Sequence, residues 1–348
     1  MGGLERVLVS LANTLCTMYE VHVISLSSSS DAPFFALDSR VNVHMIRQGE
    51  ARIRQLITGC FRPLIRYINT NKIDIAFIMG NYPIPVVLPI KPFVSAKLIY
   101  CDHGALKNQL DSKAVLTFRR MAARHAHKVI ALTQQNRDAY IELFHMKPEK
   151  VDYIYNWIDD SVLTQAGQYN KDSKCILSVG RFGEEKGYDL LLKVAPAVFE
   201  RHPDWQWHIY GDGETFETIR QGIIDLHLQQ NIRLMGTTNK MYSLYKNYGI
   251  FVLPSYREGL PLALLEARAN AIPCVSFDIV TGPREILRPD KDGFLIKAYD
   301  TKEMAQRINF LIEHEDERVR MAQHAKEGIV PFSKDAILRK WIDTIDNL

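Results

Sequence analysis

Short apolar runs rich in β-branched residues alternate along the chain with longer stretches in which apolar residues recur every three or four positions. The short runs predict buried strands, and the longer stretches predict helices that pack on them. Nearly continuous apolar strands separated by helices are typical of parallel sheets covered on both faces, so we expect an α/β protein. The strand candidates are residues 20–27, 41–46, 73–80, 97–104 and 128–133, then 175–180, 205–211, 232–236, 249–255 and 273–277.

The pattern repeats in two halves. Residues 159–174 are polar and show little periodicity, which predicts a linker. We expect an N-terminal domain over residues 1–165 and a C-terminal domain over residues 166–330, with a final helix in residues 331–348 that packs back onto the first domain. The predicted fold is two doubly wound Rossmann-like domains that face each other across a cleft. Ligands of such sheets bind at the carboxyl ends of the strands.

The two halves begin differently. The second opens with a strand, a glycine loop and a helix in residues 175–192, whereas the first opens with only a loop and a helix in residues 2–15. A sheet without its central strand would leave backbone groups unpaired, at a cost of about 1–3 kcal/mol each. We therefore expect the natural chain to begin upstream of Gly2. A genuinely shortened sheet is the alternative.

Composition narrows the class of protein. The chain has 348 residues, of which 47% are hydrophobic and 24% charged, and this profile is typical of two globular domains. A net charge of +3 is too small to indicate nucleic acid binding. The five cysteines are scattered, which favours free thiols in a reducing cytoplasm. No apolar run reaches the roughly 18 residues of a membrane span, and no signal peptide is visible.

A glycine loop joins strand to helix in residues 178–192. Arg181 and Lys186 flank it, and a helix start directs backbone N–H groups at an anion, so a pyrophosphate is the natural ligand. The alternative is a solvated turn in which Lys186 pairs with Glu184 or Glu185. Neither G-x-G-x-x-G nor G-x-x-x-x-G-K-[ST] is present, so the common dinucleotide and P-loop fingerprints are not met.

The stretch YREGLPLALLE, residues 256–266, places one glutamate in a loop and another on a helix predicted over residues 262–270. Gly259 permits close backbone approach to a ligand. A carboxylate accepts two hydrogen bonds from a vicinal diol, so one glutamate could hold a ribose and the other a sugar ring. The alternative is that Glu258 solvates the loop and Glu266 lies on a wet helix face.

The same stretch resembles the E-x7-E signature of the retaining glycosyltransferases of family 4, which have the GT-B fold. The resemblance extends over nearly the whole chain in the right order. It departs from the family in the missing first strand and in Trp157, where the family often has glycine. Further matching segments are GGLER (2–6), YNWID (155–159), GRFGEEKG (180–187), IYGDGE (209–214) and TGPREIL-x5-GFLI (281–296).

The resemblance implies a role for each matching position. His103 ends a predicted strand and would reach the sugar near the reacting carbon; the alternative is that it caps the next loop beside Asp102. The implied set is Glu258 and His103 as catalytic residues, Arg181, Lys186, Gly259, Leu260, Gly2 and Gly3 at the donor diphosphate, Glu266 at the ribose, and Gly211, Gly213, Met235, Gly236 and Thr237 near the base.

The implied reaction is transfer of a hexose or N-acetylhexosamine from a nucleotide sugar, UDP-linked in our expectation, to a glycan or lipid-linked acceptor of a surface polysaccharide. Fixed cations and helix-start amides can stabilise the leaving diphosphate, so we expect no metal or other cofactor. The only D-x-D, residues 290–292, is interpreted as a turn before a strand. A nucleotide-sugar epimerase of the same architecture and a non-catalytic sugar-nucleotide-binding subunit are the alternatives.

Two basic amphipathic stretches, residues 51–68 and 110–128, lie in the first half. They could rest on an anionic membrane near a lipid-linked acceptor, and the resemblance favours peripheral contact with the inner face of the cell membrane. The alternative is that each apolar face packs in the core while the basic face meets water. The basic residues include Arg54, Arg62 and Arg66 in the first stretch and Arg119, Arg120 and Arg124 in the second.

Overall fold

The computed structural model of the protein describes residues 3–29 and 35–348. Its contacts separate into two compact units: unit 1 is Met1–Ile154 with Thr344–Leu348, and unit 2 is Tyr155–Asp343. The boundary falls earlier than the one after residue 165 that the sequence suggests. At the C-terminus, Thr344–Leu348 alone group with unit 1.

Unit 1 contains two separate parallel sheets among its described residues. β1 pairs with β2, and β3, β4, β5 and β6 pair in that order. Among the described residues, these two sheets are not hydrogen-bonded to each other, whereas the sequence predicts a single sheet in this domain. The strands are β1 His22–Ser25, β2 Asn42–Met45, β3 Ile75–Met79, β4 Lys97–Asp102, β5 Lys128–Ala131 and β6 Val151–Tyr153; the helices are α1 Gly3–Leu15, α2 Ile53–Thr70, α3 Ile84–Val87, α4 Lys113–His125 and α5 Gln134–Phe144.

Helices α2 and α4 show which faces of the basic stretches are buried. α2 buries residues at helical spacing, Leu56, Cys60, Leu64 and Ile68, and leaves its arginines 54, 62 and 66 exposed. In α4 the prediction of an exposed basic face is wrong for Arg119, which is fully buried. The reason is the buried carboxylate of Asp102 at the end of β4, which pairs with Arg119 and cannot be recognised from the helical pattern.

Unit 2, described throughout, has one parallel sheet in the order β12-β11-β10-β7-β8-β9. The chain runs outward from β7 to β9, then returns to β10 on the other side of β7 and runs outward again. The strand order therefore reverses between β7 and β10, the place where open α/β sheets bind ligands. The strands are β7 Cys175–Val179, β8 Gln206–Tyr210, β9 Ile232–Gly236, β10 Ile250–Leu253, β11 Cys274–Asp278 and β12 Gly293–Lys297.

The helices of unit 2 cover this sheet and include a segment that the sequence presents as a linker. Residues 159–174 contain a short helix, because Asp159 caps it by accepting a hydrogen bond from the Ser161 backbone N–H at 2.9 Å, and Val162 is fully buried. The linker prediction is wrong for that part. The helices are α6 Asp160–Gln165, α7 Tyr188–Phe199, α8 Phe216–Asp225, α9 Met241–Leu244, α10 Leu262–Ala269, α11 Pro283–Ile286, α12 Thr301–Glu313, α13 Glu315–Ala325 and α14 Lys334–Asp346.

Short 3₁₀ segments, among them Leu106–Gln109 and Glu184–Lys186, connect several of these elements, and the second contains the site candidate Lys186. The final helix α14 buries Ile337 and Trp341, and near its end Asp346 accepts a hydrogen bond from the Tyr19 hydroxyl at 3.1 Å within unit 1. None of the helices that the structure describes is both long enough and apolar enough to cross a bilayer.

Candidate active site

The loop after β7 is shaped by a glycine that no other residue could replace. Gly187 has φ +66°, and a Cβ atom there would lie 2.0 Å from the carbonyl oxygen of Pro254. The loop therefore lies directly against the end of β10. This approach places the Arg181–Lys186 stretch at the point where the strand order reverses.

Lys186 and Glu258, which come from the two separate motifs, form an ion pair with 2.7 Å between Nζ and Oε1. The hydroxyl of the buried Ser255 donates to the same carboxylate oxygen at 2.7 Å. The side chains of Lys186 and Glu258 are 22% and 8% exposed. The alternative partners of Lys186, Glu184 and Glu185, are thus not the ones in the structure.

Arg181 lies in the same loop but has other partners. Its guanidinium contacts Glu185 at 2.8 Å and Glu214 at 3.1 Å, and its side chain is 56% exposed. Exposed ion pairs of this kind contribute about 0–1 kcal/mol. Arg181 is therefore held loosely, and a stronger anion can draw its guanidinium away from these carboxylates.

Backbone contacts fix the loop that carries Glu258. Its carbonyl oxygen accepts a hydrogen bond from the Thr281 hydroxyl at 2.6 Å. Gly282 has φ +97°, and a Cβ atom there would lie 2.7 Å from the carbonyl oxygen of Gly259. Gly259 and Leu260 follow Glu258 directly, but α10 begins at Leu262 with Pro261 as its N-cap, so their amides lie in the loop before the helix and not at its start.

Glu266 lies in α10 and is buried, so the alternative of a wet helix face is wrong. Its Oε2 accepts a hydrogen bond from the Tyr245 hydroxyl at 2.8 Å. The Asn270 side chain donates to the Glu266 carbonyl oxygen at 2.9 Å. These contacts hold the helix and the carboxylate in a fixed orientation.

The glycines after β8 are required by close backbone approach. A Cβ atom on Gly211 would lie 1.9 Å from the Gly180 carbonyl oxygen, and one on Gly213 would lie 2.6 Å from that of Phe182. The Gly211 N–H donates to the Gly236 carbonyl oxygen at 2.9 Å. Met235 and Gly236 end β9, and Thr237 follows them. The residues predicted near a base thus lie at the adjacent carboxyl ends of β8 and β9.

In unit 1, the turn after β4 is held by Asp102. Its carboxylate is buried and contacts the guanidinium of Arg119 at 2.8 and 2.9 Å. It also accepts hydrogen bonds from the Tyr140 hydroxyl at 2.8 Å and the Gly104 N–H at 3.0 Å. Although burial alone would raise the pKa of Asp102, the charge and hydrogen bonds of Arg119 hold it below its usual value. Asp102, rather than His103, caps this turn.

His103 follows on the same turn, and both of its ring nitrogens are buried with no hydrogen-bond partner in residues 3–29 and 35–348. Burial lowers the pKa of His103 to about 4, while the neighbouring Asp102 charge opposes the shift. The imidazole is therefore neutral at physiological pH, with one donor and one acceptor nitrogen.

The two glycines at the start of the chain are only partly described. Gly2 lies outside the described residues. Gly3 is the first residue of α1. A helix N-terminus suits an anion, so its position is compatible with the predicted role.

Several supporting residues could not be recognised from the motifs. Ser255 precedes the E-x7-E stretch in an apolar strand end, and Tyr245 lies well outside it. Arg119 looks like one member of a basic helix surface. The only available signal was the strand-end position of Ser255, since ligands collect at strand ends.

The D-x-D sequence forms a turn before β12, which confirms that prediction. Asp290 has φ +61°. Asp292 is buried and contacts the guanidinium groups of Arg268 and Arg288, each at 2.6 Å. Across the described part of the chain, no cluster of three or more His, Cys, Asp or Glu side chains is arranged to hold a metal ion.

Comparison with known proteins matches both halves of the chain. The family model "Glycosyltransferase Family 4" matches residues 1–162, and "Glycosyl transferases group 1" matches residues 161–328. The amylovoran biosynthesis glycosyltransferase AmsD of Erwinia amylovora is 28% identical, over 99% of this chain and 96% of its own. The N-acetylgalactosamine-N,N'-diacetylbacillosaminyl-diphospho-undecaprenol 4-alpha-N-acetylgalactosaminyltransferase of Campylobacter jejuni is 24% identical, over 97% of this chain and 94% of its own.

Solved structures show the same fold. HepE of Anabaena, crystallised with UDP and glucose, superposes with a TM-score of 0.81 at 19% identity, over 100% of this chain and 96% of its own. TarM of Staphylococcus aureus gives a TM-score of 0.71 at 24% identity, over 80% of this chain but only 57% of its own. The structural neighbours show the GT-B fold. Because glycosyltransferase family models match both halves, the chain belongs to the family 4 glycosyltransferases.

Proposed function

We propose that this enzyme transfers a hexose or N-acetylhexosamine from a UDP-sugar to a glycan or lipid-linked acceptor in surface-polysaccharide biosynthesis, with retention of anomeric configuration and without a metal. The observation that carries the proposal is the Lys186–Glu258 contact of 2.7 Å, which joins the two family motifs at the reversal point of the sheet. The names of the relatives support the acceptor class, since one acts in amylovoran biosynthesis and another on an undecaprenol-linked glycan.

Arg181 and Lys186 bind the donor diphosphate in this proposal. Negative charge grows on the leaving diphosphate as the bond to the sugar breaks, and fixed cations stabilise that charge. Arg offers a planar fork of donors and Lys a compact charge with three donors, so the two can serve different oxygens. Gly259 and Leu260, in the loop before α10, and Gly3, at the start of α1, contribute backbone N–H groups in this proposal.

The two glutamates serve opposite ends of the donor. Glu258, held by Ser255 and Lys186, accepts hydrogen bonds from hydroxyl groups of the transferred sugar. Glu266, oriented by Tyr245, accepts from the ribose diol. His103 contributes a neutral imidazole, which can hydrogen-bond a sugar hydroxyl without adding charge.

The proposed metal independence is supported by the contacts of the charged groups. Asp292, one of the two D-x-D carboxylates, is buried against Arg268 and Arg288 and is not available as a ligand. The proposed cations take the place that a divalent metal would fill beside a diphosphate. EDTA should leave the rate of transfer unchanged, and a strict requirement for Mn²⁺ or Mg²⁺ would contradict this part of the proposal.

Contact with the inner face of the cell membrane is proposed through α2. Arg54, Arg62 and Arg66 are exposed on it, beside Ile57 at 39% exposure. Basic side chains near an anionic surface contribute about 1 kcal/mol each, and apolar side chains can enter the interface. The protein should therefore sediment with phosphatidylglycerol vesicles more than with phosphatidylcholine vesicles. Replacing the three arginines by glutamine should abolish the difference, and no preference in the wild type would contradict the contact.

The decisive test is transfer itself. A thermal-shift screen against UDP-glucose, UDP-galactose, UDP-N-acetylglucosamine and UDP-N-acetylgalactosamine should identify the donor by a raised melting temperature. The selected donor is then incubated with undecaprenyl-diphosphate-linked glycans, and UDP release and product mass are measured. Stabilisation by a UDP-sugar and acceptor-dependent UDP release are expected. Binding without transfer to any acceptor would favour a non-catalytic role instead, and turnover of the donor without acceptor would favour an epimerase.

A further inference from the structure

A second polar side chain with an unmet hydrogen-bonding group lies beside the turn that carries His103. In the described residues of the chain, Oε1 of Gln109 is buried and has no hydrogen-bond donor. A buried amide oxygen without a partner lowers the folding equilibrium constant about 5- to 160-fold, so such groups are rare in native proteins. Both ring nitrogens of His103 are likewise buried and have no hydrogen-bond partner in the described residues. Three polar atoms, on this turn and on the 3₁₀ segment that follows it, therefore lack hydrogen-bond partners among the described residues.

These atoms belong to one rigid substructure. A Cβ atom on Gly104 would lie 3.3 Å from Gln109 Oε1, so the amide oxygen lies beside the turn that carries His103. Asn136 ties the turn to the 3₁₀ segment of Gln109: its Nδ2 donates to the Gly104 carbonyl oxygen at 3.1 Å, and its Oδ1 accepts from the Leu106 N–H at 2.7 Å. The start of the 3₁₀ segment that ends at Gln109 is thus held against the turn that carries His103.

Among the described residues, the guanidinium of Arg119 is a competing partner for Gln109, because both groups lie beside Gly104. Its Nη2 donates to Asp102 Oδ1 at 2.9 Å, while Nη1 has no partner among the residues described. If Gln109 served Arg119, its amide would be a structural group and its loss would destabilise unit 1. If it served a substrate, its loss would leave stability unchanged or improve it, because an unpartnered acceptor would be removed.

We propose that Gln109 is a substrate-binding residue whose Oε1 accepts a hydrogen bond from a sugar hydroxyl that also contacts the His103 ring. A hydroxyl group both donates and accepts, so it can satisfy the amide oxygen and one imidazole nitrogen together. A glutamine suits this position better than a glutamate, because a second carboxylate next to Asp102 would be repelled. The inference rests on the proposed function and adds a residue that lies outside the family motifs.

The test is the Gln109→Met variant, which keeps the side-chain volume and removes the amide. We expect an unchanged or slightly higher melting temperature and a three- to tenfold loss in kcat/KM, about the effect of one neutral hydrogen bond. Gln306→Met, the same replacement at an exposed site on α12, is the matched control and should behave as wild type. Gln109→Ala repeats the measurement if the methionine variant does not fold.

Two measurements on the Gln109→Met variant identify whether the donor or the acceptor carries the hydroxyl. Titration calorimetry compares UDP with UDP-glucose and UDP-N-acetylglucosamine; a loss confined to the nucleotide sugars assigns the hydroxyl to the donor. A higher KM for the acceptor with unchanged donor binding assigns it to the acceptor. Kinetics equal to wild type overturn the inference, and so does a melting temperature lowered by more than about 3 °C, which assigns Gln109 to Arg119. A wild type that binds no nucleotide sugar would instead overturn the proposed function and the inference together.

Discussion

Asp102→Asn should destabilise unit 1 strongly, because it removes the counter-charge of a fully buried arginine. The side chains of Arg119 and Asp102 are 0% and 1% exposed, and two guanidinium nitrogens lie within 2.9 Å of the carboxylate. At an effective dielectric constant of about 20, two unit charges about 4 Å apart attract by about 4 kcal/mol. Breaking one side of such a buried pair typically costs about 3–5 kcal/mol. We therefore expect a loss of about 4 kcal/mol.

The assay can separate the two units spectroscopically. All four tryptophans, residues 157, 205, 207 and 341, belong to unit 2, so tryptophan fluorescence does not report directly on unit 1. Far-ultraviolet circular dichroism reports on both. For a unit of this size, about 4 kcal/mol lowers the melting temperature by roughly 8–16 °C. The shift should appear in circular dichroism and be smaller in tryptophan fluorescence.

A double-mutant cycle isolates the interaction free energy between Asp102 and Arg119. Arg119→Met alone should also be destabilising, since it leaves the Asp102 carboxylate buried with only hydrogen-bond donors. The combined variant should be more stable than the sum of the two losses predicts, by about 2–4 kcal/mol. The folded-state pKa of Asp102 is lowered, so its contribution is complete above the unfolded value and is lost as pH falls through the folded one. A loss below about 1 kcal/mol for Asp102→Asn, or additive effects, would refute this reasoning.

The remaining predictions concern the proposed substrate contacts and pH. Lys186→Met should weaken UDP binding at least about tenfold in calorimetry, because a charge-assisted contact is lost; unchanged affinity would remove Lys186 from the diphosphate site. Glu258→Gln should lower kcat about 10²- to 10³-fold with UDP binding retained, and full activity would exclude its role. Since His103 has a folded pKa of about 4, below its unfolded value of about 6.5, the wild type should lose stability as pH falls from 6.5 toward 4. The His103→Gln variant should lose less stability over that pH range. If the melting temperatures of the two proteins fell in parallel with pH, the lowered pKa of His103 would be contradicted.

Most strands could be predicted because buried parallel strands are short apolar runs. β6 was missed, since Val151–Tyr153 is only three residues long and contains an aspartate. α6 was missed for a related reason: its sequence is polar, and a single buried residue, Val162, anchors it. In both cases tertiary contacts stabilise a segment whose local sequence gives no periodic signal.

The site could be predicted only as far as strand ends and motif order allow. The strand-end rule places Lys186 and Glu258 at one edge of the sheet, but the pair they form joins residues 72 positions apart. Arg119 can be buried because it pairs with Asp102, which lies on a different element. The helical pattern around Arg119 does not include Asp102 and therefore suggests a solvated charge. Long-range pairing of this kind is a property of the fold and leaves no local trace in the sequence.

The pairing of both proposed diphosphate cations constrains how the donor binds. Arg181 is exposed and its contacts with Glu185 and Glu214 are weak, so a diphosphate can replace those carboxylates at little cost. Lys186 is different, because its partner Glu258 is 8% exposed and separating the two would leave a nearly buried carboxylate without its cation. Lys186 should therefore keep Glu258 and use its remaining N–H donors for the diphosphate. Glu258→Gln then frees positive charge for the ligand, so UDP should bind at least as tightly to that variant as to the wild type.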